Sequence, residues 1–163
     1  MKALPAPILG LAALAVASCA TVAPERPATG EATVPIQMLG GGTYLSVRVN
    51  DRPFDALFLL DTGASKTILT PLFARRIELV VPDDAPRREL TVFGGQKVRV
   101  PFVKISRVAV GEAHVENLEI GVYEGFPNAR VIDGVLGLDF LRRFRMTVDT
   151  VNGVLRLERS PAQ

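Results

Sequence analysis

From Thr43 onward, apolar residues come in short runs, each cut off by glycine, proline, asparagine or aspartate before a long helix could form. Fourteen glycines and twelve prolines in 163 residues supply that punctuation. The pattern allows many short strands joined by turns and leaves room for only short helices. Thr43–Val49 alternates, with Leu45, Val47 and Val49 on one face and Ser46 and Arg48 on the other, so it predicts a half-buried strand. Asn50-Asp51-Arg52-Pro53 is a turn, and Phe54–Leu60 is a second strand whose apolar end, Ala56–Leu60, is expected to be buried on both faces.

The remaining segments read the same way. Thr67-Ile68-Leu69 is a short strand, and Thr70-Pro71 is an N-cap with proline at the first helical position, predicting a short helix over 71–78. Arg88–Phe93 and Gln96–Ile105 form a hairpin with Gly94-Gly95 as a two-residue turn. Arg107–Val110 and Ala113–Tyr123 pair around Gly111-Glu112. Gly125–Arg130 is a loop, Val131–Leu136 is a strand interrupted by Asp133-Gly134, and Leu138–Arg143 makes a second short helix. Phe144, Met146 and Val148 alternate into a last hairpin that turns at Asn152-Gly153. Strands and helices do not alternate, which excludes a doubly wound sheet. The expected fold is mostly β, a closed or nearly closed barrel with one or two short helices.

Composition removes several function classes. One cysteine leaves no intramolecular disulfide and no cysteine-based zinc site, and one histidine, His114, leaves no two-histidine metal centre. His114 lies in a polar stretch and reads as a surface residue. The net charge of +2 comes without a basic stripe interleaved with aromatics, so no nucleic-acid partner is implied. A Gly-x-Ser-x-Gly nucleophile turn is absent from the sequence.

The N-terminus reads as an address. Lys2 precedes an apolar stretch, Ala3–Ala17, that ends in small residues, the layout of a secretory signal peptide. Val16-Ala17-Ser18-Cys19 resembles a bacterial lipobox, which implies removal of residues 1–18 and lipidation of Cys19. An ordinary cut after Ala17 or Ala20 is the alternative. Ala20 in place of aspartate is compatible, by resemblance to the Gram-negative sorting pattern, with the outer membrane. Residues 19–32 read as a flexible tether, and residues 33–160 as the single folded domain. The expected location is the cell envelope, on the periplasmic side.

Asp61-Thr62-Gly63-Ala64 follows directly on Leu59-Leu60, at the end of a buried strand. Alone, Asp-Thr-Gly arises by chance roughly once per several thousand positions. Here a glycine-tipped hairpin follows, and then Val135-Leu136-Gly137-Leu138-Asp139-Phe140-Leu141. This ordered triple resembles the retropepsin-like aspartic proteases, across about Thr43 to Leu157. The resemblance implies a single-lobe acid-protease barrel whose catalytic carboxylate is Asp61, with Thr62, Gly63 and Ala64 as its supporting loop. It implies a flap tipped by Gly94 and Gly95, a substrate pocket near Leu136, and neither cofactor nor metal. Peptide hydrolysis in this class needs two carboxylates sharing a proton. One Asp-Thr-Gly per chain therefore implies a homodimer acting on an extended peptide or protein substrate.

Retroviral members place an aspartate after the alanine of the first motif and an arginine after the glycine of the second. Here those positions hold Ser65 and Leu138, so a retroviral-style pairing at the dimer interface is not expected. The final Asn152-Gly153 hairpin suggests a closing arrangement of its own. Other readings compete with the catalytic one. Asp61 can be a turn cap, Asp61 can pair with Asp133 in one chain, and the domain can be a non-catalytic peptide-binding or dimerisation module on the same fold.

Overall fold

The computed structural model describes residues 29–53, 55–125 and 131–159. The signal peptide, Cys19, most of the tether, Phe54 and most of the Gly125–Arg130 loop lie outside the described residues. The alternation in Thr43–Val49 appears as strand β3 (Gly42–Val49), with Leu45, Val47 and Val49 buried in the core. Burial of each such side chain contributes about 1.5–3 kcal/mol. β3 is preceded by β1 (Ala32–Pro35) and β2 (Gln37–Leu39), and followed by β4 (Ala56–Leu60) and β5 (Ile68–Leu69). Next come α1 (Pro71–Arg76), β6 (Arg87–Thr91), β7 (Lys97–Val110) and β8 (Ala113–Val122). β9 (Gly134–Leu136), α2 (Leu138–Leu141), β10 (Phe144–Asp149) and β11 (Val154–Arg159) complete the chain.

The main sheet runs β2-β3-β4-β9-β5-β8-β7-β6, and β3 also pairs with β7, through Arg48 opposite Ala109 and Val49 opposite Val108. That second pairing closes β3, β4, β9, β5, β8 and β7 into a ring. β2 and β6 remain as outer strands beside it. A separate sheet, β1-β11-β10, packs Leu155 and Leu157 into the same core. The molecule is therefore a mostly β barrel with two short helices, as expected. β1 and β2, on residues 32–39, were not anticipated. The end of the stretch read as tether is also engaged, because Thr29 bridges to His114 and β1 begins at Ala32.

Local chemistry accounts for the helix. Thr70 Oγ1 accepts from Phe73 N–H at 3.1 Å, Pro71 opens the first turn, and Arg75 and Arg76 occupy the last, where cations complement the helix dipole. α1 stops at Arg76, short of the predicted 78, and Glu78 takes a positive φ of 57° just beyond it.

Three expectations need correction. Gly94-Gly95 is not a two-residue turn. Val92 N–H bonds to Gln96 O at 2.8 Å around a three-residue 3₁₀ turn, with Gly94 at φ 83° and Gly95 at φ 78°. Both glycines are needed there, since positive φ strains other residues. The segments 96–105 and 107–110 form one strand, β7, running on through Ser106. Asn50 Oδ1 accepts Ser106 N–H at 2.9 Å, which satisfies that group where Asn117, at φ 55°, interrupts the ladder. The strand read over Val131–Leu136 is only Gly134–Leu136. Its first residues are engaged otherwise, with Val131 exposed and Asp133 joining β4 to the segment before α1.

Candidate active site

β4 and β9 are parallel neighbours, with Leu60 beside Leu136. Each ends at a turn, and the two turns lie side by side. Asp61 is the first residue beyond β4, and its N–H bonds to Leu136 O at 3.1 Å. The chain then folds back over Thr62 and Gly63. Gly63 N–H donates to Asp61 Oδ1 at 2.8 Å, and Ala64 N–H to Asp61 O at 3.3 Å. A Cβ on Gly63 would come within 3.1 Å of that same carboxylate oxygen. Asp61 is half-buried, while Thr62 and Gly63 are exposed. The carboxylate is thus oriented by its own turn and reachable from outside.

The second motif holds this turn from beside it. Leu138 N–H donates to Ala64 O at 2.8 Å. Gly137 runs against the Lys66–Thr67 backbone so closely that a Cβ would lie 2.5 Å from Lys66 C. Only glycine fits between the two segments. Thr67 Oγ1 donates to Asp139 Oδ1 at 2.7 Å and accepts from Gly137 N–H at 3.1 Å. Thr67 N–H lies 2.9 and 3.1 Å from the two oxygens of Asp139. Sequence reasoning assigned neither Thr67 nor Asp139 a role in the site. The available signal was one acidic residue, Asp139, inside the otherwise apolar stretch Val135–Leu141.

The other residues singled out in the sequence fall as follows. Gly94 and Gly95 tip the β6–β7 hairpin, and one face of that hairpin carries the half-buried Leu90 and Val98. Leu136 is 0% exposed and belongs to the core, so it carries the Asp61 turn from beneath and offers no surface to a substrate. This corrects its reading as a pocket residue. Asp133 lies at the opposite end of the β4–β9 pair. Its Oδ2 accepts from Leu57 N–H at 2.9 Å and from Arg76 Nη2 at 3.2 Å. Leu57 is four residues before Asp61 along an extended strand, about 13 Å at the usual rise. A one-chain pairing of Asp61 with Asp133 is therefore excluded. The His114 ring is engaged by Thr29 Oγ1, by Glu112 O and by Arg107 Nη2.

A ring of short strands carrying an Asp-Thr-Gly turn locked to a glycine-bearing second turn defines the class, a single-lobe aspartic-protease barrel. Residues 45–140 match the aspartyl protease family, and the chain belongs to that family. Among solved structures it is similar to a retropepsin-like aspartic protease from Rickettsia conorii, with 21% identity over 80% of this chain and 92% of that one, and a TM-score of 0.58. It is also similar to the retroviral protease-like domain of Ddi1 from Leishmania major, with 18% identity over 72% and 93% of the two chains, and a TM-score of 0.46. No curated protein matches the chain. The fold is retropepsin-like.

Proposed function

We propose that this protein is an aspartic endopeptidase that cuts extended polypeptides as a homodimer at the bacterial cell envelope. The observation that carries the reading is Asp61 itself, a single half-buried carboxylate oriented by Gly63 N–H at 2.8 Å and set beside the exposed Thr62 and Gly63. Asp133, the other acid considered for a dyad, is bound to Leu57 and Arg76. The second carboxylate of the dyad is then Asp61 of a second copy.

Two such carboxylates at close range hold one proton between them, because like charges so near cannot both ionise easily. The ionised one takes a proton from a water held between them, and the water oxygen adds to the scissile carbonyl carbon. The protonated one gives its proton to the carbonyl oxygen. Collapse of the tetrahedral diol breaks the C–N bond, the amine leaves with a proton, and the dyad again holds one. Thr62 is suited to bond across the pair and hold it rigid. The hairpin tipped by Gly94 and Gly95 is suited to close over the peptide and exclude water, with Leu90 and Val98 favouring apolar substrate side chains. Neither metal nor cofactor is needed.

The lipobox resemblance supports delivery to the periplasmic side and anchoring through Cys19. Mass spectrometry of a membrane fraction is expected to find a diacylglyceryl-modified Cys19, and an unmodified N-terminus near Ser18 would argue against the anchor. The function itself is tested by incubating the purified chain with an unfolded protein, with and without a statine-type inhibitor, beside Asp61→Asn. Cleavage is expected, blocked by the inhibitor and abolished in Asp61→Asn with fold retained. A folded dimer that cleaves nothing but still binds extended peptides would favour the non-catalytic module.

A further inference from the structure

The Asp61 turn, residues 61–66, is fastened to the second motif by contacts of two kinds. Asp61 N–H to Leu136 O and Leu138 N–H to Ala64 O join backbone to backbone, and any side chains could accompany them. The contact at Thr67 uses side chains and is buried, with Thr67 at 0% and Asp139 at 3% exposure. Placing a carboxylate there is costly unless donors surround it. The Asp139 carboxylate accepts both the Thr67 hydroxyl and the Thr67 N–H.

The Thr67 hydroxyl has a single proton. Giving it to Asp139 leaves the oxygen to accept Gly137 N–H. The order Gly137 N–H, Thr67 O–H, Asp139 carboxylate therefore runs in one direction, each bond polarising the next. It ends the Asp61 turn at a fixed point, at the place where glycine lets the two backbones touch. Asp139 O in turn accepts Arg143 Nε at 3.3 Å, so the connection reaches the start of β10.

We propose that Thr67 and Asp139 are positioning residues for the hydrolysis, a buried strut that sets where the Asp61 carboxylate stands relative to its partner. The inference rests on the proteolytic reading above. Neither side chain touches reacting atoms, and the effect passes through the turn. A carboxylate displaced by a fraction of an ångström still binds peptide but meets water and carbonyl in poorer alignment, so kcat suffers and KM does not.

Thr67→Val keeps the side-chain shape and removes the hydroxyl, whereas Thr67→Ser keeps the hydroxyl. Full-chain enzyme is compared at active-site concentrations titrated with a tight inhibitor, so unfolded protein does not count. Thr67→Val is expected to lower kcat about 30-fold with KM within about twofold, a misplacement effect of ordinary size. Thr67→Ser is expected to recover kcat to within about threefold. Asp139→Leu, which removes both acceptor oxygens without a large change in volume, should match Thr67→Val, and the double variant should lose little more, because the two act as one unit. Wild-type kcat in Thr67→Val, or loss that serine does not repair, overturns the strut.

Amide exchange at Gly63 and Ala64 separates this inference from the proteolytic reading. If the parent chain cleaves nothing yet these amides exchange faster in Thr67→Val and not in Thr67→Ser, the turn-holding role stands and the protease reading falls. If they exchange alike in all three proteins and kcat is unchanged, the strut falls and the protease reading stands.

Discussion

Asp61 and Asp133 show how far a single residue can be read without its neighbours. Both follow apolar runs and both precede glycine within two positions. Motif context alone favoured Asp61, and the structure gives the physical distinction. Asp61 Oδ1 accepts from its own turn and the residue borders exposed backbone, whereas Asp133 holds Leu57 N–H and pairs with Arg76. Asp133→Asn keeps an acceptor for Leu57 and loses only the ion pair with Arg76, whose side chain is 49% exposed, a contact worth about 0–1 kcal/mol. It is expected to leave kcat/KM within about twofold and to lower the melting temperature by a few degrees at most. Loss of activity comparable to that of Asp61→Asn, in a folded protein, would make Asp133 a participant. Leu136 was misread for a related reason. Its place in the second motif suggested the site, but strand parity and burial on both faces decide its direction, and sequence shows neither. The Thr67–Asp139 strut was illegible because its two members lie 72 positions apart and no local pattern links them.

Elements governed by local rules were legible, and those governed by long-range pairing were less so. α1 was readable from Thr70-Pro71, and β3 from strict alternation, because capping and a half-buried face leave marks inside one segment. β1 and β2 left none, since Gln37, Met38 and Leu39 are all exposed and the strands exist by pairing with β11 and β3. The β10–β11 turn is a local device with a pH signature. Asp149 Oδ1 accepts Val151 N–H at 3.1 Å and Asn152 N–H at 2.9 Å, and Oδ2 accepts Asn152 Nδ2 at 2.7 Å. The Asn152 side-chain bond, then its backbone bond, hold the Asp149 carboxyl below its ordinary value of 3.8. A depressed folded value means this contribution is fully present above about pH 4 and is lost as pH falls below 3.8 through the folded value. Asn152→Ala should raise the Asp149 titration midpoint toward 3.8, read by carboxyl NMR, and remove part of the stability the parent holds above that pH, so that parent and variant converge in acid. An unmoved midpoint would mean the side-chain bond does not set it.

At the scale of the whole molecule, what matters is where a second copy can dock. β11 has β1 on one edge and β10 on the other, so a partner cannot insert a terminal strand beside it. The final hairpin pairs within its own chain, and Ser65 and Leu138 offer no charged pair for a partner. On the proposed homodimer, the face around Asp61 then supplies the contact. Continuing the β3–β4 register by two residues past Tyr44 and Leu59 sets Gly42 opposite Asp61, and Leu39 lies opposite Gly42 on β2. Leu39 is 71% exposed, Met38 53% and Leu138 38%, apolar side chains whose cover by a second copy is favourable. Activity of the soluble enzyme should fall on dilution by mass action, and a lipid anchor would offset this by holding chains on one surface. On that proposed dimer, Leu39→Glu brings two like charges into the contact. It should raise the dimer dissociation constant about tenfold or more, seen by sedimentation, with kcat recovered at high protein concentration. Val80, 79% exposed and located beyond α1 near the β3–β4 turn, is the control, and Val80→Glu should associate as the parent does. If Leu39→Glu and Val80→Glu dissociate alike, the dimer is not built on the face beside Asp61. If the parent is fully active as a strict monomer, the catalytic pair does not require a second chain.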